Sequence, residues 1–531
     1  MNKKILIGGA WPYANGSLHI GHLAGLLPGD VIARYYRAKG QDVYYVSGSD
    51  CHGTPVTIRA KQEGKTYQEV SDHYHEEFKT CFEKLGFSYD LYGKTSQEEH
   101  ISFVREFHQK LYQSNYVYEK SVLQAFCESC NQFLPDRFVE GLCPKCRNQA
   151  RGDQCDVCGA VLETETLVKP TCSICGSRPV FRETKHLYIA ISKLEAELKA
   201  LVNQSNWRKN ALAFTNRYLE EGVRDRALTR DLDWGIDVPF PGYEHKKIYI
   251  WAENVLGYLS MSFQVANERG VAFEELWGEN ARHYYVHAKD NIPFHTIILP
   301  ALLLAHGANY RLPDDIISNE YLTLEGRKIS TSQNWAIWVK DIVDNYQADS
   351  IRYFLIANGP EKRDTDFTWN EFIKCHNGEL LGAYGNFINR VLVFVHKYFE
   401  GKVPDGQVED EIETRFIACY QNVGNKIEQG KLKDGLEDIF ELIRAANKYF
   451  DRKAPWISRN TDVRDCEITL YNCIVQLVNF AVLLEPFLPF SSEKVIAGFG
   501  IDKKWAYKHI SPGTKVPELG ILFQRLEGEN K

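Results

Sequence analysis

The chain has 531 residues, too many for a single hydrophobic core, and its length corresponds to roughly three or four domains. Its 44% hydrophobic and 25% charged residues are the balance of a water-soluble globular enzyme and exclude a disordered or fibrous chain. A net charge of −7 excludes a general polyanion binder, so any RNA partner must be held by local basic patches and stacking aromatics.

The first predicted strand is Ile5-Leu6-Ile7, short, apolar and β-branched as buried parallel strands are. Met1-Asn2-Lys3-Lys4 leads straight into it with no room for a signal peptide, and no apolar run along the chain is expected to reach the ~18 residues of a membrane span. A cytoplasmic protein without a membrane partner is the expectation. Pro12, Asn15 and Gly16 break the strand, Ser17 is the predicted N-cap, and an apolar helical pattern follows. A helix that starts just after a strand presents unpaired N–H groups and the positive end of its dipole to a polyphosphate. His19 and His22, three residues apart, share the face of the first turn, where both can donate to phosphate oxygens. Gly21 lacks the Cβ that would hold a flat adenine off the backbone.

Residues 1–115 therefore read as the first half of a doubly wound α/β sheet, with Val43-Tyr44-Tyr45-Val46 as a second strand and a helix over 67–85. From 116 to 225 the composition shifts to Cys, Gly and Pro punctuation, the mark of an insertion. Apolar strands return at 247–251 and 284–287, which makes 226–312 the second half of a split nucleotide-binding sheet. Residues 313–375 form a linking region with a flexible loop at Leu324-Glu325-Gly326-Arg327-Lys328. The segment 376–531 is helical in period, with long amphipathic stretches over 427–452 and 466–484.

Of 14 cysteines, eight fall into four Cys-x-x-Cys pairs: Cys127/Cys130, Cys143/Cys146, Cys155/Cys158 and Cys172/Cys175. In a chain without a signal peptide such pairs point to metal rather than disulfides. Four thiolates make a closed tetrahedral Zn²⁺ site, so eight imply two structural ions. Gly159 and Gly176, one residue after their pairs, permit the tight turns that zinc knuckles use. The inner pairs can share an ion, with the outer pairs nested around them; the alternative joins the first two pairs and the last two.

In its strand–turn–helix setting, the string Pro12-Tyr13-Ala14-Asn15-Gly16-Ser17-Leu18-His19-Ile20-Gly21-His22 resembles the HIGH signature of class I aminoacyl-tRNA synthetases, and that of the methionyl-tRNA synthetase family in particular. The resemblance runs along nearly the whole chain. It implies a Rossmann-like catalytic sheet split by a zinc-binding insertion and followed by an α-helical anticodon-binding bundle. Nesting of the cysteine pairs is favoured, because single-knuckle members have a site matching Cys143, Cys146, Cys155 and Cys158. Two knuckles and the Asn291-Ile292-Pro293-Phe294-His295 segment resemble the archaeal and eukaryotic branch.

Lys328-Ile329-Ser330-Thr331-Ser332 stands where the family has its mobile KMSKS loop. There Lys328 would neutralise the departing pyrophosphate, with Ser330 and Thr331 also at the ATP. Thr331 departs from the second lysine of many members, and Arg327 is one candidate for the missing charge. Asp50, in Ser49-Asp50-Cys51-His52-Gly53-Thr54-Pro55, would pair with the α-ammonium group of the amino acid. Asp290 would accept from ribose hydroxyls, and Trp11, Tyr13, Trp251, Tyr258, Phe294 and His295 would line a methionine pocket, Val255 and Ala288 being mild departures. An aromatic lining suits a polarisable thioether. The insertion of about 110 residues is filled largely by the knuckles, unlike the editing insertion of the leucine, valine and isoleucine enzymes. In the helical region, Asn386 and Arg390 share a face, and Trp456 follows the basic cluster Lys448, Arg452 and Lys453; the resemblance makes Asn386, Arg390 and Trp456 the anticodon readers, Trp456 by stacking.

The implied reaction is activation of L-methionine by ATP with Mg²⁺, then transfer to initiator and elongator tRNA(Met), by a monomer. Two rivals stand beside it. A cysteinyl enzyme shares both signatures but needs an active-site thiolate-binding metal, which Trp251 and Tyr258 oppose. A paralogue that binds tRNA or adenylate without catalysis is kept open by Thr331.

Overall fold

The computed structural model describes residues 3–528 apart from 136–137, 153–154, 156–157, 159–161, 163 and 332, so Gly159 and Ser332 lie outside the described residues. Strand β1 (Lys4–Gly9) leads into helix α1 (Ile20–Ala38), then β2 (Asp42–Ser49), α2 (Thr54–Glu63), α3 (Tyr67–Lys84) and β3 (Leu91–Lys94). β1 pairs in parallel with β2 on one side and with Ala281–Ala288 on the other. The five-stranded sheet runs Asp315–Asn319, Ala281–Ala288, β1, β2, β3, every pairing parallel. The chain leaves β1 in one direction and returns, after the insertion, on its other flank. The switch point thus lies between β1 and Ala281–Ala288, where ligands of such sheets bind beyond the strand ends. Both faces are buried, which is why Ile5, Leu6, Ile7, Tyr44, Tyr45, Tyr284 and Tyr285 are nearly inaccessible and the strands read as continuous apolar runs.

The insertion is an antiparallel hairpin, Val117–Cys127 against Val180–Ile189, extended by Arg226–Ala227 and Gln132–Phe133. A second small sheet pairs Val139–Leu142 with Gln149–Arg151 and Val168–Cys172; Cys172 ends its last strand, whereas Cys127 ends the long hairpin strand. C-terminal helices Asn386–Tyr398, Asp410–Glu428, Leu432–Lys453, Pro455–Thr461, Val463–Leu484 and Pro489–Phe499 build the bundle.

Several expectations are corrected. The N-cap of α1 is His19, not Ser17. The run 247–251 is a strand only at Lys247–Ile248; Ile250–Glu253 is a short helix, so Trp251 projects from a helical turn. A five-residue apolar run does not by itself distinguish the two. The loop at 324–328 is a hairpin: Leu322–Leu324 pairs with Arg327–Lys328 across Glu325 (φ 48°) and Gly326 (φ 75°), and Gly326 N–H donates to Asp366. The sheet continues past 312 through Asp315–Asn319. The amphipathic stretch 427–452 is two helices broken at Gly430 (φ 67°), where a Cβ would meet Ile317 at 2.6 Å, so the bundle touches the sheet through bare backbone. Finally, Val463–Leu484 is long and apolar enough by composition to cross a membrane; it is the buried core helix of the bundle.

Candidate functional site

The turn after β1 is tied across the switch point. Ala10 N–H donates to Val286 O at 2.9 Å, Ala14 N–H to Asp50 O at 2.8 Å, and Asp50 N–H to Pro12 O at 2.8 Å. These bonds set Tyr13 beside Asp50 and bring the turn to the N-terminus of α1.

There the two histidines are stacked, ring centroids 3.8 Å apart. Gly21 N–H donates to His19 Nδ1 and His19 N–H to His22 Nδ1, each at 3.1 Å. Each Nδ1 is thus an acceptor, which places the ring proton on Nε2 in both neutral imidazoles. Burial lowers His19 to about 4 and His22 well below its ordinary value, so both are neutral near pH 7. The pair caps the helix and keeps two outward N–H donors. A Cβ on Gly21 would stand 3.0 Å from the His19 ring, so a side chain there would press on the capping histidine. Tyr13, His19, His22, Thr331, Trp338 and Lys340 help line a cleft of about 680 Å³.

The expected pocket residues form two contiguous chains. Tyr13 meets Trp251 edge to face at 6.1 Å, and Trp251 lies flat on Phe294, centroids 3.4 Å apart and planes 4° from parallel. Trp11 meets Tyr258 edge to face at 6.4 Å, and the Tyr258 hydroxyl is 2.8 Å from His295 Nε2. His295 Nδ1 donates to Asn291 O at 2.9 Å, so its Nε2 accepts from the tyrosine. Burial lowers His295 to about 4 and holds Tyr258 far above its ordinary value; the lining is neutral throughout. Trp11 sits deeper than a pocket wall would. Its ring lies against Gly48 and Gly257, where a Cβ would come within 2.3 Å of it.

Asp50 is fully buried and accepts from Asn254 Nδ2 at 2.6 Å. Burial and the neighbouring Glu253 push its carboxyl well above the usual range, against Asn254. Glu253, also fully buried, takes His52 Nδ1 at 2.6 Å, and its second carboxylate oxygen has no hydrogen bond among the described residues. Two buried acids side by side, one of them with a carboxylate oxygen that has no hydrogen bond among the described residues, favour an incoming cation, such as an ammonium group. Asn254, His52 and Glu253 were missed in the sequence, although His52 stands two residues after Asp50 and Glu253 and Asn254 lie between Trp251 and Tyr258.

On the far wall, Asp290 lies in the 3₁₀ turn Lys289–Asn291 just after Ala281–Ala288, accessible to solvent, its carboxyl raised by desolvation and pulled back by Lys289 and Lys328. Lys328 is exposed at the end of the hairpin. Ser330 and Trp335 exchange both backbone hydrogen bonds at 2.9 Å, which closes the loop carrying Thr331. Arg327 lies 5.1 Å over the Trp335 ring, outside the residues lining the cleft.

The cysteines group in the nested way, Cys127, Cys130, Cys172 and Cys175 in one set and Cys143, Cys146, Cys155 and Cys158 in the other, the sulfurs of each within 4.8 Å of one another. Cys130 N–H points to Cys127 Sγ at 3.4 Å, the N–H···S contact of a knuckle. Four converging sulfurs fit one tetrahedral metal per set. In the bundle, Asn386 and Trp456 are exposed, Trp456 at 46%. Arg390 donates to Asp451 at 2.5 Å and lies 4.5 Å over Phe450, whose ring is 5.9 Å from Trp456. The indole is therefore free to stack rather than wedged between helices.

Residues 5–392 match the family described as tRNA synthetases class I (M), and 402–531 match the anticodon binding domain of methionyl tRNA ligase. The chain is 54% identical over 528 residues to methionine–tRNA ligase 1 of Alkaliphilus oremlandii (strain OhILAs), covering 99% of this chain and 97% of that one. It is 54% identical over 529 residues to methionine–tRNA ligase of Bacillus mycoides (strain KBAB4), with the same coverages of 99% and 97%. The solved Mycobacterium tuberculosis methionyl-tRNA synthetase in complex with methionyl-adenylate has a similar fold, with a TM-score of 0.82 at 22% identity over 98% of this chain and 100% of that one. Through its whole-length likeness to these ligases and the two family matches that span it, the chain belongs to the methionyl-tRNA synthetase family of class I aminoacyl-tRNA synthetases.

Proposed function

We propose that this chain is an aminoacyl-tRNA ligase that activates L-methionine with ATP to methionyl-adenylate and pyrophosphate, then transfers methionine to the 3′-terminal adenosine of tRNA(Met). The observation that carries this is the meeting, at one switch point, of two neutral histidine N–H donors with an uncharged aromatic pocket around buried Asp50.

ATP lies with adenine over Gly21, its ribose on Asp290 and its phosphates by His19, His22, Lys328, Ser330 and Thr331. Methionine places its ammonium group on Asp50 and its thioether among Tyr13, Trp251, Tyr258, Phe294 and His295, with Trp11 backing Tyr258. The methionine carboxylate attacks the α-phosphorus, a new O–P bond forms, the bond to the β-phosphate oxygen breaks, and pyrophosphate leaves. A ribose hydroxyl of the tRNA end then attacks the adenylate carbonyl and AMP departs. No side chain serves as nucleophile; positioning and fixed donors lower the barrier. Mg²⁺ accompanying ATP would offset phosphate charge. Zn²⁺ in each set of four thiolates would have no open position, so its contribution is to the folding of the insertion.

Asn386 and Arg390 would read anticodon base edges and Trp456 would stack on a splayed base, for initiator and elongator tRNA alike. The site roles rest on a division into a sheet interrupted at 116–225, a loop region and an anticodon bundle, in a monomeric cytoplasmic enzyme. Two knuckles and the Asn291–His295 segment remain the features like the archaeal and eukaryotic branch; the relatives named above are bacterial, so we take the likeness as one of insertion form.

The test is amino acid-dependent ATP–pyrophosphate exchange by zinc-replete protein without tRNA, with methionine, cysteine, leucine and valine in parallel. Exchange with methionine alone is expected. Exchange with cysteine alone would move the assignment to that relative. No exchange with any of them, restored by Thr331→Lys, would favour the impaired paralogue.

A further inference from the structure

ATP carries about four negative charges, and most of them leave with pyrophosphate, so the cleft that holds them needs cations close by. The histidines beside it are neutral, and Thr331 on the loop side carries no charge. Among the described residues two cations line this cleft with them, Arg59 and Lys340. Arg59 is already engaged: its Nε donates to Glu63 at 2.5 Å and its Nη2 to the Tyr74 hydroxyl at 3.1 Å. Lys340 is held loosely. Its Nζ is 3.5 Å from Glu77, longer than an ordinary hydrogen bond, and its side chain is 49% exposed.

The backbone of Lys340 is nevertheless fixed. Ile20 N–H donates to Ile337 O at 3.0 Å and Val339 N–H to Leu18 O at 2.8 Å, with Trp338 bridged antiparallel to His19. Lys340 therefore follows directly on the segment that clamps the histidine turn, whereas Lys328 belongs to the hairpin and acts on Asp290 from the opposite wall.

We propose that Lys340 is a second phosphate-binding cation of this site, which leaves Glu77 to contact the β- and γ-phosphates of ATP and the departing pyrophosphate. It supplies from the rigid side of the cleft the charge that Thr331 does not supply from the loop. Glu77, largely buried and with one carboxylate oxygen unpaired among the described residues, parks the ammonium group between turnovers. This rests on the ATP-dependent activation proposed above.

The test compares wild type, Lys340→Met, Lys340→Arg and the double variant Thr331→Lys/Lys340→Met in methionine-dependent exchange, in direct binding of inorganic pyrophosphate, and in thermal unfolding. Lys340→Met is expected to weaken pyrophosphate binding and exchange by roughly 10- to 100-fold with an unchanged unfolding midpoint. Lys340→Arg should retain most activity, and Thr331→Lys should restore much of what Lys340→Met loses. Pyrophosphate binding equal in wild type and Lys340→Met overturns the proposal, as does a loss accompanied by a lowered midpoint that Thr331→Lys does not repair. If wild type exchanges with no amino acid, the aminoacylation reading fails by itself, and the pyrophosphate-binding comparison still decides the role of Lys340.

Discussion

His19 performs two tasks with two atoms of one ring. Nδ1 closes the N-terminus of α1 by accepting from Gly21 N–H, and in the proposed reaction Nε2–H would serve a phosphate oxygen. Asparagine is among the best N-caps, and its side-chain oxygen can replace the first task without reaching the second. His19→Asn should therefore keep thermal stability within about 0.5 kcal/mol while lowering methionine-dependent exchange about 10²- to 10³-fold, the usual effect of one lost preorganised donor. Equal losses in stability and exchange would show that the ring only caps. The placing of His19 and His22 together in the first turn was legible in the sequence because three-residue spacing at a strand-to-helix turn fixes their common face. The cap was not: serine is the commoner residue for it, and only the structure shows a histidine in that place. Asn254 escaped for a similar reason, since an amide acquires meaning here only from the carboxylate of Asp50, which reaches it from another strand end.

At the scale of elements, α1 contains Pro28, which has no N–H to give to the carbonyl of Ala24 one turn earlier. Asn319, at the end of strand Asp315–Asn319, supplies the missing donor, its Nδ2 lying 2.6 Å from Ala24 O, and Arg208 in turn donates to Asn319. The helix that carries the histidines is thereby fastened to the sheet at the one turn where its own ladder fails. Asn319→Ala leaves a buried carbonyl unpaired and should lower unfolding free energy by about 1–3 kcal/mol in urea melts. In a Pro28→Ala background, where the backbone N–H gained at that position can restore the helical bond, the penalty of Asn319→Ala should shrink by about 1 kcal/mol. Additive losses would show that Asn319 acts only through Arg208. Neither partner announces this in the sequence, because a proline inside an apolar helical pattern reads as a kink or an end. The same locality explains the run at 247–251 and the hairpin at 324–328: periodicity over five residues carries little, and turn chemistry at Glu325 and Gly326 emerges from pairing with Asp366. The main parallel strands, the helical period of the bundle and the existence of a paired cysteine cluster were legible because apolar periods and fixed Cys-x-x-Cys spacing are properties of the chain alone; the spacing left the pairing open, the nested choice came from the likeness to single-knuckle synthetases, and the sulfur positions agree with it.

Across the whole molecule, the catalytic sheet and the helical bundle are locked by a buried charge cluster that no sequence spacing reveals. Asp30 of α1 is fully buried and 2.7 Å from Arg352 Nη2; Arg352, itself 1% exposed, donates onward to the carbonyls of Phe487 at 2.8 Å, Pro486 at 3.0 Å and Leu85 at 3.2 Å. Arg34 joins Asp30 to Glu485 at 2.9 and 2.8 Å. Helix α1 is thus the common member of the turn that carries His19 and His22 and of the junction to the bundle at Asp30 and Arg34. Burial alone would raise the Asp30 carboxyl; Arg352, Arg34 and the donors of Ser88 outweigh it and hold it below its ordinary 3.8. A carboxylate with a depressed folded pKa contributes stability that is fully present above its unfolded pKa, near pH 4, and is lost as pH falls through the lower folded value. Asp30→Asn leaves the buried guanidinium of Arg352 without its counter-ion and should cost about 3–5 kcal/mol at pH 7. Followed by urea unfolding from pH 7 down to pH 3, the gap between wild type and Asp30→Asn should stay constant to about pH 4 and then narrow, because only wild type has the carboxylate to lose. A gap that persists unchanged below pH 4 would mean that packing around α1, not the ion cluster, holds the two halves of the enzyme together.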